Sequence, residues 1–248
     1  MVLPDALTLE RAGLKAWPGI EVDWDGAWVR RASNGYTKRA NSLQCFDPAD
    51  GLDAEARLEA GRQWFLARGL RPVVRMTPLA SAELGAVLDA QGWLVIDRSH
   101  QMAMPIGAHR PDPEGVALDV LDPAFLAALE RLHGYDEAQM RGLCEILSVL
   151  DGPAAGIVLY RDGEAAAAAL MALGDDIVVT GNVITDRVRR RQGLAVAMMH
   201  TGLAWAAGQG ARVAALNVQA DNAAAKALYA GLGYTRQYDY TYRIPGAA

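Results

Sequence analysis

Val183-Ile184-Thr185-Asp186-Arg187-Val188-Arg189-Arg190-Arg191-Gln192-Gly193-Leu194-Ala195 decides the reading of this chain. A β-branched, apolar strand runs out into a basic loop, and a helical pattern opens at Gly193. The first N–H groups of a helix have no intrahelical partner, and the helix dipole is positive there, so the stretch predicts an anion site. Gly193 leaves room for backbone to approach the anion, and Ala195 keeps the next turn slim.

Downstream, a helix is predicted from Leu194 to about Gln209, then a turn at Gly210 and a strand over Arg212–Val218. Asp221-Asn222-Ala223-Ala224-Ala225-Lys226-Ala227-Leu228-Tyr229-Ala230-Gly231-Leu232-Gly233-Tyr234 follows, with Asp221 or Asn222 as N-cap and Gly233 as the C-terminal breaker. Seven residues are close to two helical turns, so Asn222 and Tyr229 share a face, the one turned toward the first helix and its loop.

Arg190, Gly193 and Ala195 fit R-x-x-G-x-A. Together with Asn222, Tyr229 and Leu232-Gly233-Tyr234, on a strand–helix–strand–helix frame, this resembles the Gcn5-related N-acetyltransferases over residues 114–244. The resemblance implies acetyl-CoA as co-substrate, an amine acceptor that attacks it directly, and no acyl-enzyme. It assigns the pyrophosphate to Arg190 and Arg191 with the N–H groups of Gln192, Gly193, Leu194 and Ala195. It assigns the pantetheine amides to backbone at Val183, Ile184 and Thr185, which would pair with them as with an extra strand. Asn222 joins the cofactor site, and Tyr229 is the expected general acid toward the departing thiolate. Arg187 and Arg189 are either solvated charge or ligands of the 3′-phosphate. Some members of the family carry a glutamate in the strand before the loop, where this chain has Ile177-Val178-Val179-Thr180. Asp175, Asp176 and Glu164 are then either proton relays through water or solvated turn acids. His133-Gly134-Tyr135-Asp136 lies where the family lines its acceptor pocket.

Ahead of the loop, a strand over Val116–Val120, helices over Pro123–Leu132 and about Glu137–Leu150, and a hairpin of Ala155–Tyr160 with Ala165–Leu173 lead to the strand Ile177–Thr185. The fold class expected is α+β, a mostly antiparallel sheet flanked by helices. Pro111-Asp112-Pro113-Glu114-Gly115 divides the chain into residues 1–110 and 111–248. The first part echoes the second: Ser81–Met104 can be laid on Asn222–Pro245, with Gly92-Trp93 over Gly233-Tyr234. Trp28–Ala32 and Lys38–Leu43 are expected to form a hairpin turned at Asn34-Gly35, followed by a helix over Asp53–Arg68 and a strand over Val73–Met76. Here Cys45-Phe46-Asp47-Pro48-Ala49-Asp50-Gly51 replaces the phosphate loop, Leu88 stands for Tyr229 and Ser81 for Asn222. The tandem, with one degenerate half, is similar in architecture to mycothiol synthase-like acetyltransferases. Trp17, Trp24, Trp28, Tyr36, Lys38 and Arg39 form either a wall of the acceptor site or core tryptophans beside a solvated hairpin tip.

Composition narrows the function classes. With 24 basic and 29 acidic side chains the net charge is −5, which argues against a general nucleic-acid surface. No signal segment opens the chain and the longest apolar run is too short to span a bilayer, so a cytoplasmic protein without membrane contact is expected. Cys45 and Cys144 read as free thiols, Cys144 as a buried one, and the four histidines have no metal-ligand spacing. A monomer and a homodimer both remain open. A non-catalytic acyl-CoA sensor is the alternative function, against which an acid beside the sulfur would serve no purpose. A Rossmann dinucleotide enzyme is disfavoured by the lack of G-x-G-x-x-G.

Overall fold

The computed structural model describes residues 2–246. Residues 5–25, to which the sequence pattern assigns no element, begin the fold. Asp5 accepts from Thr8 N at 2.9 Å and caps α1 (Ala6–Ala16). The first half continues with β1 (Glu21–Asp25), β2 (Trp28–Ala32), β3 (Leu43–Cys45), α2 (Ala54–Leu66), β4 (Val74–Met76), α3 (Ala82–Ala90) and β5 (Leu94–Pro105). The second half is β6 (Gly115–Leu118), α4 (Pro123–His133), α5 (Glu137–Ser148), β7 (Ala154–Arg161), β8 (Glu164–Gly174), β9 (Ile177–Thr185), α6 (Leu194–Gly208), β10 (Val213–Gln219), α7 (Ala223–Gly231) and β11 (Thr235–Ile244). Every residue of β8 after Glu164 is buried, which a central strand covered on both faces requires. On one face Met198, Met199 and Leu203 of α6 share a core with Ile157 and Met171. On the other, Phe125 and Leu129 of α4 and Leu143 and Ile146 of α5 pack with Val158 and Leu170.

All strands join one sheet in the order β1-β2-β3-β4-β11-β5-β10-β9-β8-β7-β6. Among the described residues only β3–β4 and β9–β10 pair in parallel; the other neighbours are antiparallel, as the expected fold class requires. The succession β1, β2, β3, α2, β4, α3, β5 recurs as β7, β8, β9, α6, β10, α7, β11, with parallel pairing at the same step. Ser81 caps α3 and Asn222 caps α7, each through a side-chain oxygen. The halves exchange their last strands. β5 lies against β10, from Ser99↔Gln219 to Pro105↔Val213, while β11 lies against β4, from Met76↔Thr241 to Val74↔Arg243. β5 and β11 then pair with each other from Leu94↔Ile244 to Ala103↔Thr235. Residues 110 and 111 fall in the connection between β5 and β6, and the sheet runs unbroken across both halves.

The expected hairpin is present with a shorter second strand: Asn34 (φ +50°) and Gly35 (φ +80°) occupy a tight turn closed by Tyr36 N donating to the Ser33 carbonyl at 3.0 Å, and β2 pairs antiparallel with β3, but that strand begins at Leu43 and not at Lys38. β2 pairs with β1 across a tight turn at Gly26 (φ +58°) and with β3, whereas Lys38–Ala40 is a single 3-10 turn. The Asn41 side chain causes this. Its Oδ1 accepts from Ser33 N at 2.7 Å and Gly35 N at 3.0 Å, and its Nδ2 donates to the carbonyls of Tyr36 and Thr37 at 2.9 and 2.8 Å. Those bonds satisfy backbone that a hairpin ladder would otherwise have to pair.

Where the halves meet, Glu10 of α1 is buried among polar partners. It accepts from Arg75 Nη2, Gln44 Nε2 and Tyr238 OH, each at 2.8 Å. Arg75 lies 3.7 Å from the ring centroid of Tyr240 and donates to Tyr242 OH at 3.2 Å, both on β11. Burial alone would raise the Glu10 carboxyl, but the Arg75 charge and the three hydrogen bonds hold it below its ordinary value. Removing one member of such a pair leaves a buried charge uncompensated. Glu10→Ala is therefore expected to lower the unfolding free energy by roughly 3–5 kcal/mol in denaturant titration. Because the folded carboxyl is depressed, its contribution is present above the unfolded value near pH 4.3 and is lost as pH falls through the folded value. The gap between wild type and Glu10→Ala should accordingly shrink in acid.

Candidate functional site

The site begins where two parallel strands part. β9 and β10 pair from Ile177↔Val213 to Thr180↔Leu216 and no further, although β9 runs on to Thr185 and β10 to Gln219. From Gly181 onward the edge of β9 that faces β10 has no strand partner among the described residues. The pairing of β9 with β8 is also irregular there: Leu170 faces Gly181 but Ala168 faces Ile184, so three steps on β9 match two on β8. This is a β-bulge at Asn182-Val183, with Asn182 at φ +50°. Divergence and bulge together open a cleft of about 760 Å³.

The basic loop stands at one end of this cleft. Gly193 is the N-cap of α6, in the left-handed region at φ +77°, and offers no side-chain cap. The N–H groups of Leu194, Ala195 and Val196 meet no acceptor among the described residues. A Cβ built at Gly193 would meet nothing within 4 Å, so the glycine keeps open space before those N–H groups. Arg190 and Arg191 are exposed, border the cleft and form no ion pair among the described residues. Arg189 is instead held by Asp162 at 2.8 Å, and Arg187 lines a smaller neighbouring cavity with Arg131 and His133. Asn222 accepts from Ala225 N at 3.0 Å and caps α7, as the spacing predicted. Two turns on, Tyr229 is buried edge-on to Tyr234, ring centroids 5.8 Å apart, and burial pushes its phenol up to about 12. A group with that value keeps its proton throughout the physiological range.

Of the residues singled out in the sequence, Val183, Ile184, Thr185, Arg190, Arg191, Gly193, Leu194, Ala195, Asn222 and Tyr229 all line the cleft. Gln192 is exposed in the loop but is not part of the lining. The reading missed Thr180, Gly181 and the free half of β10, Asn217–Gln219. Their signal is topological: the far wall of a gap between parallel strands must be the next strand in the crossover. Arg39, from the first half, also reaches the cleft. Asp175, Asp176 and Glu164 do not line it. Asp175 pairs with Lys15 at 2.6 Å, and six residues of strand put Asp176 roughly 20 Å from Asn182. His133 stacks on Tyr135 with centroids 4.5 Å apart and planes 2° from parallel; burial lowers its pKa, so the imidazole is neutral at pH 7. Trp17 and Trp28 are core residues, whereas Trp24 is 48% exposed. Both cysteines are free; Cys45 is buried, but Cys144 is only half-buried, against expectation, because α5 turns it partly away from the core.

In the first half, the segment between β3 and α2 is closed on itself. Asp50 accepts from Arg57 Nη1 at 2.7 Å and from Ala27 N at 2.8 Å, and its carbonyl accepts from the Trp28 indole at 2.8 Å. Among the described residues, no group of three or more His, Cys, Asp or Glu side chains could hold a metal ion, and no helix is long and apolar enough to cross a membrane.

Comparison with known proteins agrees with this architecture. The family described as "Probable histone acetyltransferase Rv0428c C-terminal" matches residues 5–243. The N-acetyltransferase YobR of Bacillus subtilis is 24% identical over 261 residues, covering 98% of this chain and 99% of that one. A GCN5-related N-acetyltransferase structure from Kribbella flavida superposes with a TM-score of 0.72 at 18% identity, covering 99% and 98% of the two chains. A tandem protein of the same fold from the clavulanic acid biosynthesis pathway gives 0.65 at 12% identity, covering 99% and 89%. The structural likenesses fix the fold, the family match spans nearly the whole chain, and the chain accordingly belongs to this acetyltransferase family within the GCN5-related N-acetyltransferases.

Proposed function

We propose that the cleft between β9 and β10 binds acetyl-CoA and that the protein transfers its acetyl group directly to an amine. The observation that carries this is the coincidence, in one cleft, of an unpaired strand edge, an uncapped helix N-terminus led by two unpaired arginines, and a protonated tyrosine. Phosphates would lie against the N–H groups of Leu194–Val196 with Arg190 and Arg191. The free edge of β9 would pair with the pantetheine amides, and an N–H at the bulge would polarise the thioester carbonyl. A neutral amine nitrogen attacks the carbonyl carbon, the C–S bond breaks, and the nitrogen releases one proton to solvent. Tyr229 gives its proton to the sulfur and regains one from solvent, so amine and acetyl-CoA yield amide and free thiol. Residues 111–248 form the catalytic unit in this reading, and residues 1–110 a degenerate copy that supports it. Asp47 and the Arg57-bound Asp50 stand where the first half would need positive charge, and Pro48 has no N–H to offer.

Four outcomes are expected. Arg190→Ala should weaken acetyl-CoA binding by roughly 1.5–3 kcal/mol in calorimetry. Gly193→Val should raise the acetyl-CoA KM sharply, since the side chain stands before the helix N–H groups and valine rarely adopts the φ of +77° that the loop needs there; a retained circular dichroism spectrum checks that the rest of the fold is intact, and normal affinity in both variants would remove the phosphate assignment. Tyr229→Phe keeps the ring and deletes the proton, so kcat should fall about 10²-fold with little change in acetyl-CoA affinity, and an unaltered rate of the chemical step would return Tyr229 to a packing role. Titration should give one CoA per chain, unaffected by Asp47→Ala; two would mean that the first half also binds.

A further inference from the structure

The cleft has a cation that the cofactor reading does not use. Arg39 lines it from the first half, forms no ion pair or hydrogen bond among the described residues, and has its Nε buried without a partner. Its guanidinium lies over the Trp17 ring, 5.8 Å from the centroid, and the Trp17 indole N–H donates to Thr37 Oγ1 at 2.9 Å. The segment from Ser33 to Asn41 that presents Arg39 is held from inside by the four Asn41 bonds and from outside by the second half. Asn34 Nδ2 donates to Glu145 Oε2 at 2.8 Å, and the Tyr36 ring meets Tyr135 edge-on at 6.4 Å. Tyr36 also lies so close to Gly142 that a Cβ there would come within 2.5 Å of it. The acids that this segment meets are bound by its other residues: Asp97 pairs with Lys38 at 2.8 Å, and Glu145 accepts from Asn34. Arg39 is thus a positioned, uncompensated charge.

Its direction of entry separates it from the phosphate loop. Trp17 and Ala40, beside Arg39, belong to the core shared with α4 and α5, whereas α6, led by Arg190 and Arg191, packs on the opposite face of the sheet. We propose that Arg39 is the acceptor-specificity residue and that the amine acceptor carries a carboxylate, bound by the Arg39 guanidinium on the α4–α5 side of the cleft. This rests on the acetyl-CoA reading above. A planar guanidinium presents a fork that matches a carboxylate, and a bidentate pair of that kind favours the acid over its neutral counterpart roughly ten- to a hundredfold.

The test titrates the CoA-saturated protein with the standard amino acids, each beside its decarboxylated amine. Binding of acetyl-CoA alone by wild type, Arg39→Gln and Arg39→Lys is measured first. At least one acid should bind roughly tenfold or more tightly than its decarboxylated partner. Arg39→Gln should erase that ratio, Arg39→Lys should restore part of it, and both should bind acetyl-CoA as wild type does. A panel without any preference for the acid overturns the proposal. So does an Arg39→Gln variant that loses acetyl-CoA affinity as Arg190→Ala does, which would make Arg39 a ligand of the cofactor's phosphates. Failure of the acetyl-CoA reading is distinct: the wild type would then not bind acetyl-CoA in the first measurement.

Discussion

The structure depends on an exchange of strands. Each half builds a parallel pair, β3–β4 or β9–β10, whose second strand needs a further neighbour, and in each case that neighbour comes from the other half. An unpaired strand edge exposes a row of backbone groups that must find partners in protein or water. Here β5 and β11 cover both edges and then pair with each other, so separating the halves would expose several ladders at once. The Glu10–Arg75 pair reinforces the same seam, with α1, β3, β4 and β11 all contributing a partner.

That seam also shapes the site. Because β5 holds β10 along its full length, β10 cannot follow β9 past Thr180, and the bulge at Asn182-Val183 turns the end of β9 further away. The gap is fixed by the sheet and does not depend on a mobile loop. Its electrostatics are set just as locally. α6 opens without a side-chain cap, Asp162 draws off Arg189, and Arg190 and Arg191 remain before the free N–H groups. The corresponding turn of the first half is filled by its own ion pair, Asp50 with Arg57. The two halves share a frame, and in the second the cleft has two arginines without ion pairs and a helix N-terminus without a side-chain cap at one end.

Much of this was legible without coordinates. The β-branched run, the basic loop and the helix opening at Gly193 are local signals, and Asn222 and Tyr229 are related by helix periodicity alone. β9 ends at Thr185, as the pattern predicts, and ten of the eleven residues singled out line one cleft. The Asn34-Gly35 turn forms as read, but the strand expected from Lys38 begins only at Leu43, because the Asn41 side chain satisfies the backbone at Ser33, Gly35, Tyr36 and Thr37 that a longer ladder would have paired. Cys144 is half-buried because it lies at the margin of the α5 face whose Leu143, Ile146 and Leu147 are buried, a rotation the sequence pattern did not resolve.

The sequence by itself determined the second half's order of elements, the location of its anion loop and the identity of its buried tyrosine, since each follows from neighbours a few residues apart. Only the tertiary structure decided which strand lies beside which, that β9 and β10 part after Thr180, and that Arg39 reaches a cleft built by residues more than 140 positions later. Those facts depend on pairing between segments distant in the chain, and side-chain periodicity carries no record of a strand's partner.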